Sequence, residues 1–122
     1  MVQFRFMNLE IWKDAISLND QFFDLADKIE NAKQFRFAEQ LRAASLSVSN
    51  NIAEGSGSFS TKDFANFLNI ARRSVFETAN ICVVAFRRNF INEDHLNQLL
   101  TDLDILSRKI TNFRKTIIRA ES

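Results

Sequence analysis

The sequence predicts an all-α fold, an antiparallel up-down-up-down four-helix bundle. Three observations carry this. Apolar residues recur at steps of three and four through four successive segments; proline is absent from all 122 residues; and the two glycines, Gly55 and Gly57, fall together between the second and third segments. A β-sandwich needs many more turns than so few breakers could supply. Thirteen phenylalanines, one tryptophan and no tyrosine make an apolar aromatic set, better suited to packing than to wet pockets. The length fits a single domain over residues 1–122, enough for one core and too short for two.

The first segment covers residues 8–29, with Asn8 as its expected N-cap. Ile11, Ala15, Leu18, Phe22, Leu25 and Ile29 form its seam, and Trp12, Ile16, Phe23 and Ala26 a second stripe beside it. The second covers residues 34–54, with Ala38, Leu41, Ser45, Val48 and Ile52 in the seam. Its alanines and serines make it slim, so neighbours can approach closely. Gly55 and Gly57 are expected to end it in the left-handed conformation.

The third segment covers residues 60–88. Ser60-Thr61-Lys62-Asp63 resembles a capping box with Asp for the usual Glu. Phe64, Leu68, Ala71, Val75, Cys82 and Ala85 make the seam; Phe67, Phe76, Ala79, Val83, Phe86 and Phe90 widen it. The fourth segment begins at Asn92, a second expected N-cap, with Glu93 and Asp94 at the positive helix start. Leu96, Leu99, Leu103, Leu106, Ile110, Phe113 and Ile117 follow heptad steps. The apolar stripes on the first and third helices are wider than one core needs, which points to burial between copies of the chain.

Composition limits the function. A net charge of +1 does not announce a nucleic-acid binder, yet it is unevenly spread. Residues 1–59 carry 6 basic and 8 acidic side chains, and residues 60–122 carry 10 and 7. Cys82 is the single cysteine, so no intrachain disulfide forms. No apolar run approaches the roughly 20 residues of a membrane span. The N-terminal stretch has no signal-peptide apolar core. A cytoplasmic location is therefore expected.

Chemistry-bearing residues are few. His95 is the one histidine, and no Glu-x-x-His pair accompanies it, which argues against a metal centre in the bundle. Cys82 lies on a helix seam and reads as packing. The serines around Gly55 and Gly57 lack the Walker lysine and a preceding strand, so they read as loop chemistry. No catalytic constellation, cofactor or small-molecule substrate is indicated. If the second and third segments reverse near residue 59, Arg42 lies level with Glu77, either as a charged tie between the helices or as two solvated side chains. Glu54 at a helix C-terminus opposes the dipole and is expected to find compensation. It can accept from the amides of Ser60 to Lys62, or else face a ligand or a neighbouring subunit together with Asn51.

The residues from Arg42 to Glu77 carry a resemblance. Arg42-Ala43-Ala44-Ser45, Asn51-Ile52-Ala53-Glu54-Gly55, Asp63-Phe64, Phe67-Leu68, Ile70-Ala71-Arg72 and Glu77 resemble a bacterial four-helix-bundle family encoded in intervening sequences of 23S ribosomal RNA genes. Leu9-Glu10-Ile11-Trp12-Lys13-Asp14-Ala15 is similar to that family's opening element. Arg73 departs from the pattern, because relatives often have glycine there; the arginine makes the turn bulkier. The resemblance implies a homopentamer closed around a central channel, with no established enzymatic activity. A related branch is the accessory protein of diversity-generating retroelements, a basic pentamer that associates with a reverse transcriptase and RNA.

In a ring, even a modest basic patch repeats into a collar able to neutralise phosphates. The residues that would form it are Arg72, Arg73, Arg108, Lys109, Arg114, Lys115 and Arg119. The functional expectation is a non-enzymatic oligomeric adaptor that contacts RNA or an RNA-associated protein through a basic end. The alternative is a structural, protein-interaction oligomer without nucleic-acid affinity.

Overall fold

The computed structural model describes residues 1–121. A short 3-10 turn, Arg5–Asn8, leads into α1 (Glu10–Asn31), α2 (Phe35–Ser56), α3 (Thr61–Arg87) and α4 (Glu93–Glu121). Consecutive helices run antiparallel. Asn19 meets Ser45 across α1 and α2, Ser47 meets Ser74 across α2 and α3, and Phe113 packs edge-on against Phe64 across α4 and α3. The predicted seams point inward as one core. Phe22, Ile29, Leu41, Ile52, Leu68, Leu99, Leu106 and Ile110 are all less than 2% exposed.

The helix starts follow the sequence at two of three positions. Ser60 Oγ accepts from the Asp63 amide at 3.1 Å, and Asn92 Oδ1 accepts from the His95 amide at 2.8 Å. Asn8 does not cap α1. It is wound into the 3-10 turn, and Leu9 occupies the cap position with its amide bonded to Phe6 O at 3.0 Å.

The glycines depart from expectation. Neither adopts a positive φ, and Gly57 caps α2 at φ −86°. The left-handed residues are Lys33 and Asn89, at φ 69° and 67°. There Gln34 N returns to Ile29 O and Phe90 N to Ala85 O, closing α1 and α3 in the same way. Gly55 serves packing instead. It lies inside α2, and a Cβ there would sit 2.7 Å from Phe67 Cβ and 2.8 Å from Phe64 Cδ1. The absent side chain lets α3 close onto α2.

Polar residues stitch α2 to α3. The hydroxyls of Ser47 and Ser74 lie 2.8 Å apart. Asn51 Nδ2 donates to Ser47 O and Oγ at 2.8 and 3.0 Å, and the fully buried Thr78 hydroxyl donates to Ser74 O at 2.8 Å. Arg73 points outward and does not bulk out this approach; the buried Ser74 makes it. The seam between α1 and α4 is the loosest. Lys109 bridges it, donating to Glu10 and Asp14 at 2.9 Å each.

Candidate functional site

Arg42 and Glu77 are not paired. Arg42 faces α1, where it reaches Asp27 at 2.7 Å and Glu30 at 3.0 Å, and it also pairs with Glu39 one turn earlier on its own helix. Those bonds, Asp27 first and then Glu39, raise its pKa above the ordinary arginine value. Glu77 is exposed on α3. The height was right, but the arginine sits on the flank of α2 turned away from α3. A double-mutant cycle read by denaturant unfolding is expected to give no coupling between Arg42 and Glu77. The Arg42 and Asp27 cycle is expected to give a measurable one.

Glu54 likewise makes no bond to the start of α3. Its side chain is exposed, and Ser60 itself satisfies the Asp63 amide. Asn51 donates only within α2, to Ser47 O and Oγ, and the Ser47 hydroxyl in turn meets that of Ser74. Cys82 is fully buried, and desolvation pushes its thiol up to about 12. His95 is exposed. Among the described residues no group of three or more His, Cys, Asp and Glu is placed to hold a metal ion.

The seven cations predicted for a basic patch are divided by the fold. Lys109 is held between Glu10 and Asp14, which raises its pKa and lowers that of Glu10. Arg108 pairs with Asp104 at 3.1 Å, and Arg114 Nε donates to the Ala65 carbonyl at 3.0 Å. Arg72 lies over the Phe76 ring, 4.7 Å from its centroid, with its Nε buried and making no hydrogen bond. Arg73, Lys115 and Arg119 are exposed.

One feature of this end was not foreseen from the sequence. Phe59 stands fully exposed in the loop between α2 and α3. It flanks a cleft of about 650 Å³ that Ser60, Thr61, Lys62, Ala65, Asn66, Arg114, Ile118 and Glu121 also line. Arg5 lies nearby, over Phe64 at 5.2 Å. The signal was available: a phenylalanine within a Gly/Ser loop has no local reason to be there unless something covers it.

The arrangement defines a four-helix bundle with a few polar ties between its helices and a charged surface on which the Phe59 ring stands exposed. The chain belongs to the 23S rRNA-intervening sequence protein family, whose description matches residues 7–112. Its fold is similar to that of a protein of unknown function from the S23 ribosomal protein family of Bacteroides thetaiotaomicron. The TM-score is 0.80 at 21% identity, over 86% of this chain and 98% of that one. No curated protein matches. Among the described residues no helix is long and apolar enough to cross a membrane.

Proposed function

We propose that this protein is a non-enzymatic, oligomeric binding module that holds single-stranded RNA at the end of the bundle carrying Phe59. The observation that carries this is a bare aromatic ring beside a cleft with cations at its wall. Every base has a face that can stack on Phe59, while Lys62 and Arg114 line the cleft. Lys115 follows Arg114 on α4 and is exposed. A homo-oligomer, with the pentamer as the first expectation, would repeat this end around a ring and multiply weak contacts by avidity. A cytoplasmic location suits such a role.

A second reading is a protein-interaction oligomer without nucleic-acid affinity. The ties of Lys109, Arg108 and Arg114 favour it, because these cations already have partners within the chain.

Fluorescence anisotropy with a labelled mixed-sequence RNA single strand tests the two. Three phosphate contacts predict affinity that falls about tenfold or more between 50 and 200 mM salt. Removing one stacked base with Phe59→Ala is expected to cost about 1–3 kcal/mol of binding. Lys115→Glu is expected to weaken binding and flatten the salt slope. Salt-insensitive binding, or none at all, supports the second reading.

A further inference from the structure

One group in the cleft beside Phe59 works against the backbone of a bound strand. Glu121, at the end of α4, lines the cleft together with Lys62 and Arg114, and is the one carboxylate that does so among the described residues. A carboxylate repels the phosphates that the two cations attract. An exposed glutamate at a helix end can swing clear of such a site, yet Glu121 is held in it. The Thr61 hydroxyl, at the start of α3, donates to Glu121 Oε1 and ties the two helix ends together beside the cleft. Arg114, which lines the same cleft, gives its Nε to the Ala65 carbonyl.

The rest of the lining suits a whole nucleotide. Phe59 offers an aromatic face, and Ala65 and Ile118 offer apolar surface. Asn66 adds an amide that both donates and accepts. The volume of about 650 Å³ is that of a pocket for a small molecule, larger than a phosphate alone requires.

Base edges differ in what they show a carboxylate. The oxygens of Glu121 only accept, and they keep lone pairs beyond the one that Thr61 uses. Guanine presents two adjacent donors on its Watson–Crick edge, the ring N1–H and the 2-amino group, which match the two oxygens of one carboxylate. Adenine and cytosine each present one amino donor beside a ring acceptor. Uracil presents a single N–H between two carbonyl oxygens, and a carboxylate repels both.

We infer that the Phe59 cleft is selective for a guanine nucleotide, with the base stacked on Phe59, its N1–H and 2-amino group bonded to Glu121, and its phosphate facing Lys62. Thr61 is a positioning residue, because it acts through Glu121. The selectivity rests on the RNA-binding end proposed above and names the base that this end prefers. It also gives the buttressed carboxylate a use that sequence-blind binding of a polyanion does not. The ligand chemistry is the same whether the guanine nucleotide is part of a strand or free.

Two measurements on the full-length chain test this. Fluorescence anisotropy uses labelled uridine octamers, either unmodified or with one central guanosine or inosine. Isothermal titration uses guanosine 5′-monophosphate and uridine 5′-monophosphate without a strand. The guanosine strand is expected to bind about tenfold tighter than the all-uridine strand. Inosine lacks the 2-amino group, and its strand is expected to lose most of that gain. Glu121→Gln is expected to abolish the preference and to tighten all-uridine binding, because a charge that repels phosphate is gone. Thr61→Val is expected to bring the guanosine-to-uridine ratio toward one. Circular dichroism and thermal unfolding check both variants, and a tie that is only structural would lower the unfolding temperature without moving the ratio. Equal binding of the guanosine and all-uridine strands overturns the guanine assignment, and so does a preference that survives Glu121→Gln. Strands bound equally but weakened by Phe59→Ala leave the RNA reading standing alone. Guanosine monophosphate bound over uridine monophosphate through Glu121, with no strand bound, leaves the guanine site standing alone. Binding of neither strands nor nucleotides refutes both.

Discussion

Replacing Phe22 with alanine is expected to lower the stability of the folded chain by about 3–5 kcal/mol, while the same change at Phe23 costs about 1 kcal/mol or less. The two rings are neighbours in sequence and differ by one helical step. Phe22 is 1% exposed, in the middle of the α1 seam, and its removal leaves a cavity that the close-packed helices cannot fully collapse. Phe23 is half-buried and lies outside the core cluster. A small domain has a total stability of about 5–15 kcal/mol, so the Phe22 variant would lose about a fifth of it at the least. Urea unfolding with an unchanged m-value reads the difference, at protein concentrations low enough to keep single chains. Equal losses at both positions would mean that α1 is rotated from the register described.

The second large effect is at Gly55. Alanine is the better helix former by about 1 kcal/mol, and Gly55 lies within α2, so local propensity predicts a gain for Gly55→Ala. Packing predicts a loss. The new methyl would stand 2.7 Å from Phe67 Cβ, an atom fixed close to the α3 backbone, and 2.8 Å from the Phe64 ring. Overpacking of this kind costs about 1–3 kcal/mol, and a larger side chain such as valine deepens the loss. Gly57→Ala is the control. A Cβ there meets only Glu54 O, at 3.4 Å, and the backbone is already right-handed, so stability should stay within about 0.5 kcal/mol. Thermal unfolding of both variants decides the matter. A stabilised Gly55→Ala would show that α2 and α3 do not close to the distance seen.

Much of this architecture was legible because it is written in local periodicity. The seam of α3 from Phe64 to Ala85 is buried as its spacing predicted, and Ser60 and Asn92 cap their helices through bonds that span three residues. The family resemblance from Arg42 to Glu77 is matched by a family description over residues 7–112. The errors share one character. Arg42 was matched to Glu77 by height along the hairpin, but a charge pair also needs the same flank, and Arg42 lies toward α1. Glu54 was expected at the amides of α3 because a carboxylate at a helix C-terminus opposes the dipole, but its side chain is exposed and Ser60 meets the Asp63 amide locally. The glycines were read as caps because glycine's freedom is a local property; their non-local use, absence of bulk, gives no periodic signal.

What the sequence by itself determined is the four helices, their order, the side each turns to the core and the loops where the chain reverses. Apolar spacing dictates these, because burial acts on every turn of every helix with the same sign. Only the tertiary structure decided how the charges are spent. Lys109 went to Glu10 and Asp14 across the loosest seam, Arg42 to three carboxylates on the outer face of α1 and α2, and Phe59 to open solvent beside a cleft. Long charged side chains reach several partners at similar cost, so their pairing follows from which helix flanks come together. That is set by packing across the whole bundle and not by any stretch of neighbouring residues.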